Sequence, residues 1–251
     1  VLEALFGFLA ELGGMFRLAW DALKCGLRRP FETDLWLAQL YQLGVRSLTI
    51  TNVTLLFTGM VLAIQTAYSL AAYGGKPFVG DILALSVVRE LGPVLTALMV
   101  AGRVGAGVTA EIGSMAVTEQ VDALRALAAS PTRKLVVPRV GALVLMLPLL
   151  TILADTIGLF GGLLMAVSEL GQSRVYYLNH VISALTMQDI ASGVGKTVFF
   201  ALSIGTIACY NGLRATGGAD GVGRATTDTV VTSSIAVIVS DFFLTKLFLL
   251  V

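Results

Sequence analysis

The run from Ser47 to Ala72, SLTITNVTLLFTGMVLAIQTAYSLAA, contains no Asp, Glu, Lys or Arg. As a helix rising 1.5 Å per residue it is long enough to cross a hydrocarbon core about 30 Å thick, so the rest of the chain is read outward from a membrane span. Composition agrees: of 251 residues 56% are hydrophobic and only 13% charged, with a mean hydropathy of +0.87, whereas about 25% of a soluble domain is charged. That excludes an ordinary water-soluble enzyme. With 17 basic and 16 acidic side chains the formal net charge is +1, too balanced for the basic footprint of a nucleic-acid binder. Cys25 and Cys209 stand far apart in sequence and support neither a disulfide framework nor a metal knuckle.

Downstream, apolar character resumes over about 82–110, 140–167, 190–213 and 229–251, which with 47–72 makes five spans. The expected fold is an all-α integral membrane protein in two parts, interfacial and elbow helices over 1–46 and a five-span domain over 47–251. From Val1 to Lys24, Leu2, Leu5, Phe6, Leu9, Leu12, Phe16, Ala19, Trp20 and Leu23 recur at helical spacing while Glu3, Glu11, Arg17 and Asp21 break any continuous apolar run. Such a helix lies in the membrane interface. It has neither the basic opening nor the small-residue cleavage site of a secretory signal, and an opening Val1 suggests a trimmed start. Phe31 to Leu43 reads as an elbow into the first span.

Lys and Arg in the connections set the orientation, because positive loops stay in the cytoplasm. One side collects eleven: Arg17, Lys24, Arg28, Arg29, Arg46, Arg125, Arg133, Lys134, Arg139, Arg214 and Arg224; the other has Lys76 and Arg174, with Lys246 near the C-terminus. The N-terminus is therefore expected in the cytoplasm and the C-terminus outside.

Two glycine motifs suggest nucleotide binding and fail on inspection. Gly193-Val-Gly195-Lys196-Thr197 resembles the end of a phosphate loop, but Ile190 stands where the first glycine belongs and no strand precedes it. Gly221-Val-Gly223-Arg224 opens like a dinucleotide fingerprint, yet Thr226 replaces the third glycine, leaving a flexible turn. The lone His180 has no partner set for nucleophilic catalysis and reads as structural. No enzymatic role, metal or cofactor is expected in this chain.

Charges inside a span are costly and mark function by default. Arg89 and Glu90 interrupt the second span near one end; with Arg103, positions 89, 92, 96, 99, 103 and 106 form a polar or small stripe that should face protein or water, although Arg89 and Glu90 also suit mutual neutralisation. On the first span Leu62, Gln65, Ser69 and Tyr73 share a face at spacings of three and four; Tyr73 equally suits an interfacial belt. Asp155 and Asp241 are either packing groups or, with Glu90, the relay of a proton-coupled secondary transporter. Between the second and third spans, Thr118 can cap a short helix carrying Glu119 and Asp122 in its first turn and Val121, Leu124 and Ala128 on its apolar side, ended by Ser130-Pro131. Pinned between two spans, it presents a rigid knob to a partner, or lies on lipid headgroups.

Arg89-Glu-Leu-Gly-Pro93, Gly102-Arg-Val-Gly105 and Ala110-Glu-Ile-Gly-Ser-Met115 running into Thr118-Glu-Gln-Val-Asp-Ala-Leu124, with Pro138-Arg139 and Gly221-Val-Gly-Arg-Ala-Thr-Thr227, closely resemble the MlaE permease family of lipid-transporting ABC systems. The resemblance covers the second span and both long cytoplasmic links. It implies a homodimeric inner-membrane permease that moves glycerophospholipid along a periplasmic path and so maintains outer-membrane lipid asymmetry. The implied partners are two copies of a cytoplasmic ABC ATPase, which holds the ATP and Mg, a hexameric periplasmic MCE-domain protein, and in some systems a STAS-domain protein. The helix of Thr118, Glu119, Gln120, Asp122, Leu124 and Arg125 is then similar to the coupling helix docked on the ATPase. The lipid cavity would be lined by Leu62, Gln65, Ser69 and Tyr73, with Arg89 and Glu90 near its outer mouth.

Overall fold

The computed structural model describes residues 2–26, 33–71 and 74–250, and among these every regular segment is helical. Tyr73, Arg28 and Arg29 lie outside the described residues, as do Pro30 and Phe31. The helices are α1 (Leu2–Gly26), α2 (Thr33–Gln39), α3 (Leu48–Ala71), α4 (Val79–Ser86), α5 (Gly92–Val100), α6 (Ala106–Val117), α7 (Gln120–Ala126), α8 (Val137–Ser168), α9 (Arg174–Ala184), α10 (Met187–Leu213) and α11 (Gly218–Leu250). Wide, π-type turns at Leu40–Gly44, Val87–Leu91, Ala101–Gly105 and Thr132–Val136 join several of them into longer rods.

Five of these rods are long and apolar enough to cross a membrane: Leu35–Ala71, Lys76–Val117, Thr132–Ser168, Met187–Leu213 and Gly218–Phe248. The chain is thus an all-α, five-span protein preceded by α1, whose Phe6, Leu9, Leu12, Phe16, Trp20 and Leu23 are exposed, as an interfacial helix requires. The second rod has 42 residues, about 63 Å at helical rise, so its ends project beyond the hydrocarbon.

Two local expectations are corrected. Gly221 to Arg224 is not a turn, because α11 already starts at Gly218. The reversal is made instead by Gly217 and Gly218, whose φ values of 88° and 71° favour glycine. The link after the third span contains a helix, α9, capped by Ser173, whose hydroxyl accepts from the Tyr176 amide. Thr118 caps no helix: its hydroxyl donates back to the Ser114 carbonyl at 2.8 Å, and Glu119, at φ 60°, occupies the cap position of α7 without a side-chain hydrogen bond.

The fold divides into two compact units, the described part of Val1–Val45 with Val100–Met146 and Phe199–Ser240, and Arg46–Met99 with Leu147–Val198 and Asp241–Val251. In the second unit α3 buries one residue in four, Thr51, Leu55, Gly59, Ala63 and Ala67. Two of its backbone contacts require glycine in one partner or the other. A Cβ on Gly59 would strike the Gly158 carbonyl, and one on Gly161 would strike the Leu56 carbonyl. Small residues let helix backbones approach this closely, which is what packs helices together where no hydrophobic force acts between them. Tyr177 of α9 is buried over this seam with its hydroxyl donating to the Leu159 carbonyl at 3.1 Å. Burial pushes its phenol pKa well above the usual tyrosine value, so it stays a neutral donor.

In the first unit the buried threonine Thr109 organises three helices. Its hydroxyl lies 3.0 Å from the Ala208 carbonyl and 2.9 Å from the Thr229 hydroxyl, which also accepts from Asn211 Nδ2 at 3.0 Å. Every partner is supplied by protein, as a water-free interior demands.

Replacing Gly59 by Leu overpacks the α3 seam and is expected to destabilise the protein by about 1–3 kcal/mol, read as a lower Tm in detergent. Gly102→Ala, whose added methyl meets nothing within 4 Å, should not lower the Tm and should raise it slightly.

Candidate functional site

The second unit carries a polar cleft of about 420 Å³ walled by Arg89, Glu90, Thr186, Asp189, Lys196 and Thr245, among others. Its construction starts at the wide turn Val87–Leu91. A π-type turn displaces the backbone by one residue and re-aims its side chains, and here it presents Arg89 and Glu90 to two different partners. The Arg89 guanidinium pairs with Asp189, with Nε donating to Oδ1 at 2.6 Å. Asp189 is fixed from behind: its Oδ2 accepts from the backbone and hydroxyl of Thr186, both at 2.8 Å. Thr186 in turn receives the Asp189 amide at 3.3 Å, a reciprocal capping arrangement at the start of α10.

Glu90 bonds to Lys196 instead. The Lys196 side chain is 2% exposed, and its ammonium donates to Glu90 Oε2 at 2.8 Å, to the Arg89 carbonyl at 3.1 Å and to the Thr245 hydroxyl at 2.6 Å, with Asp241 Oδ1 at 3.2 Å. Thr245 closes the ring by approaching Glu90 Oε1 at 3.1 Å. One ammonium thus meets two carboxylates and satisfies all three of its donors, the condition under which a buried charge is tolerable. The glycines beside it serve the same end. Gly193 passes against the Val88 carbonyl and Gly195 against the Phe248 ring, so the Gly-Val-Gly-Lys run is a helix-packing device.

Mutual neutralisation of Arg89 and Glu90 is therefore not what occurs. The sequence assigns no site role to Asp189 or Thr245 and shows Lys196 only as part of a glycine motif, although a lysine within an apolar span is itself a signal. Asp155 is buried with Oδ1 unbonded, close against Gly92. His180 pairs with Asp81 at 2.8 Å and rests on the Tyr176 ring at 4.3 Å, joining α9 to α4. Leu62 is partly buried and packs against the core of its unit, while Gln65 and Ser69 are exposed on the opposite side of α3 from the glycine seam. Among the described cavity candidates, α3 therefore presents Gln65 and Ser69 outward with Leu62 at the edge.

In the first unit α7 stands between the second and third rods. Val121 is buried, Leu124 is half-buried, and Leu127 just beyond its end is 78% exposed. Asp122 and Arg125 pair with each other at 2.6 Å in solvent, and Gln120 Nε2 donates to the Thr118 hydroxyl at 3.0 Å. Both ends of this short helix are marked by left-handed residues, Glu119 and Ala128 at φ 60° and 56°. In the same unit Arg139, only 5% exposed, reaches Glu111 at 2.7 Å and donates to the Leu135 carbonyl at 2.8 Å. That pair ties α6 to α8.

Five helical spans, a short helix held between the second and third, and a charged cleft define a multi-pass membrane protein built around polar groups that a lipid-facing helix would not carry. Residues 36–247 match the family described as Permease MlaE. The chain is 40% identical over 241 residues to a probable ABC transporter permease protein of Rickettsia felis, covering 96% of this chain and 93% of that protein. It is 45% identical over 211 residues to a probable ABC transporter permease of Synechocystis, covering 84% of this chain and 80% of that one. With the intermembrane phospholipid transport system permease protein MlaE of Haemophilus influenzae it shares 40% identity over 243 residues, 96% of this chain and 92% of that protein. The chain belongs to the MlaE permease family.

Lys196→Met removes the ammonium and leaves the Glu90 and Asp241 carboxylates unneutralised. A loss of about 3–5 kcal/mol is expected, measured as a fall in unfolding temperature. Adding Glu90→Gln and Asp241→Asn to the same variant should restore most of it.

Proposed function

We propose that this chain is the membrane-embedded permease of an ABC transporter that moves glycerophospholipid between the inner membrane and a periplasmic MCE-protein path, maintaining outer-membrane lipid asymmetry. The observation that carries this reading is the near-full-length similarity to the Haemophilus phospholipid permease. The polar cleft agrees with it, because a charged niche on otherwise apolar helices suits a molecule with an ionic head and hydrocarbon tails. Arg89 and Glu90 then act near the outer mouth, and Gln65 and Ser69, with Leu62 and Tyr73, line the cavity of a homodimer. A symmetric dimer would present the same α3 surface twice.

In this reading the chain does no chemistry and needs no cofactor; ATP and Mg are held by two copies of a cytoplasmic ATPase. A hexameric MCE-domain protein continues the path outside, and a STAS-domain protein is a further partner of the ATPase side. The excess of cationic residues towards one side of the sequence-read spans, Arg125, Arg133 and Lys134 among them, supports a cytoplasmic N-terminus and α7 and a periplasmic C-terminus. There α7 serves as the coupling helix, with Leu127 as its exposed apolar tip and Glu119, Gln120, Asp122 and Arg125 as polar contacts. The Glu111 and Arg139 pair would pass its displacement to both rods. A proton-coupled carrier has less support: Glu90 and Asp241 are already committed to Lys196, which leaves Asp155 without a partner acid.

Glu119→Lys combined with Asp122→Lys should abolish co-purification of the ATPase and its permease-dependent ATP hydrolysis while helix content stays the same. Retention of the ATPase at wild-type stoichiometry would refute the assignment of α7. Ser69→Arg places a charge in the expected cavity and should lower the phospholipid that co-purifies with the assembled transporter; unchanged lipid phosphorus would exclude this face of α3 from the cavity.

A further inference from the structure

The first unit contains a second cavity, of about 580 Å³, that the permease reading does not use. It lies between α1 and the beginning of α8, with Trp36 of α2 and Leu202 of α10 completing the walls. Its hollow is built by small residues. Ala19 and Ala22 face it from α1, and Gly141 faces it from α8, where any Cβ would strike the Trp36 indole. The rim is large and hydrocarbon: Phe16, Trp20, Leu23 and Leu145 are 74%, 52%, 53% and 50% exposed. Apart from Thr206 and the edges of two indoles, the walls offer nothing to bond with water.

Depth in the membrane follows from the chain alone. Trp36 is near the start of the first rod, Val137 to Leu145 lie in the first part of the third, and Leu202 and Thr206 lie near the end of the fourth. Consecutive crossings alternate in direction, so these three places are on the same side, within about 20 Å of the rod ends at helical rise. That is the level of one leaflet. The same end carries Lys24, whose ammonium sits 5.2 Å from the centroid of the Trp20 ring, a cation at headgroup height beside a wall residue.

A dry void of this size would forfeit the dispersion contacts of its walls, and water there would find almost no partners. Because the rim is continuous with the lipid-facing surface, the solvent that enters is hydrocarbon. From this we infer that the groove under α1 is a binding site for one acyl chain of a phospholipid of the adjacent leaflet, whose phosphate lies beside Lys24. The site is separate from the polar cleft. It adds a shared lipid to the contacts that hold the interfacial helix, as a two-signal attachment does.

The test uses the assembled transporter in vesicles of phosphatidylethanolamine and phosphatidylglycerol containing a phosphatidylethanolamine whose acyl chain ends in a diazirine. After irradiation, adducts are mapped by peptide. Denser labelling at Ala19 to Leu23 and Val140 to Leu145 than at Ile235 and Ile238, which are equally exposed at 57%, is the expected result. Val144→Trp and Ala19→Phe fill the groove from opposite walls, and each should cut labelling there about fivefold without changing that at Ile235. Labelling no denser than at Ile235, or unaffected by either filling variant, overturns the proposal. So does capture of another polypeptide by a photoreactive residue at position 145, which would give the groove to a partner helix. None of these readouts measures transport, so the site stands or falls apart from the cargo reading.

Discussion

The ammonium of Lys196 is the constraint around which the second unit is arranged. A cation in an apolar helix must be compensated from inside the protein, since lipid supplies no counter-charge and no acceptor. Compensation comes from Glu90 on the second rod and from Asp241 and Thr245 on the fifth, while Lys196 itself is on the fourth. The glycines at 193 and 195 let those backbones close to the distance the bonds need. Helices that share no hydrophobic driving force in lipid are thereby held in one register by a requirement none of them meets alone. Arg89 and Asp189 repeat the arrangement one step away, with the capping threonine Thr186 fixing the acid.

The wide turns make this geometry possible. Buried pairs along the second rod fall at 79/80, 83/84, 87/88, 92/93, 96/97, 100/101, 104/105, 108/109 and 112/113, a repeat of four with one step of five. An α-helix advances about 40° past a full turn for every four residues, so a straight helix would spiral its buried face away from its neighbours over that length. The turns at Val87–Leu91 and Ala101–Gly105 each take up residues without advancing the face as far. The cost is two weakened hydrogen-bond ladders, and one carbonyl in the first of them, that of Arg89, is taken by Lys196.

This also explains what was legible in the sequence. The charge-free run from Ser47, the five crossings and the amphipathic α1 could be read because composition and period are local properties. A stripe through 89, 92, 96, 99, 103 and 106 requires one unbroken period; Gly92 and Thr96 are buried while Arg103 is exposed, since the turns shift the register between them. Partner choice was not legible either. Arg89 and Glu90 look like each other's counter-ions because they are adjacent, but adjacent residues on a helix point about 100° apart. Their real partners lie 100 and 106 residues further on, where only three-dimensional structure brings them. Lys196 was hidden by a motif: its glycines invited comparison with a phosphate loop, and a lone intramembrane cation was the stronger physical signal.

In the first unit the corresponding constraint is backbone strain rather than charge. Left-handed conformations cost a residue with a Cβ about 1–2 kcal/mol, and α7 has one at each end, Glu119 and Ala128. A connection that only had to join two spans would place glycine at both, as the link before α11 does with Gly217 and Gly218. Retaining side chains there narrows the conformations open to the unfolded link and stiffens its two hinges, whereas glycine would leave them loose. Val121 is buried and Arg139 is locked to Glu111, so α7 is joined to α6 and α8 through two stiff hinges and not through a loose loop.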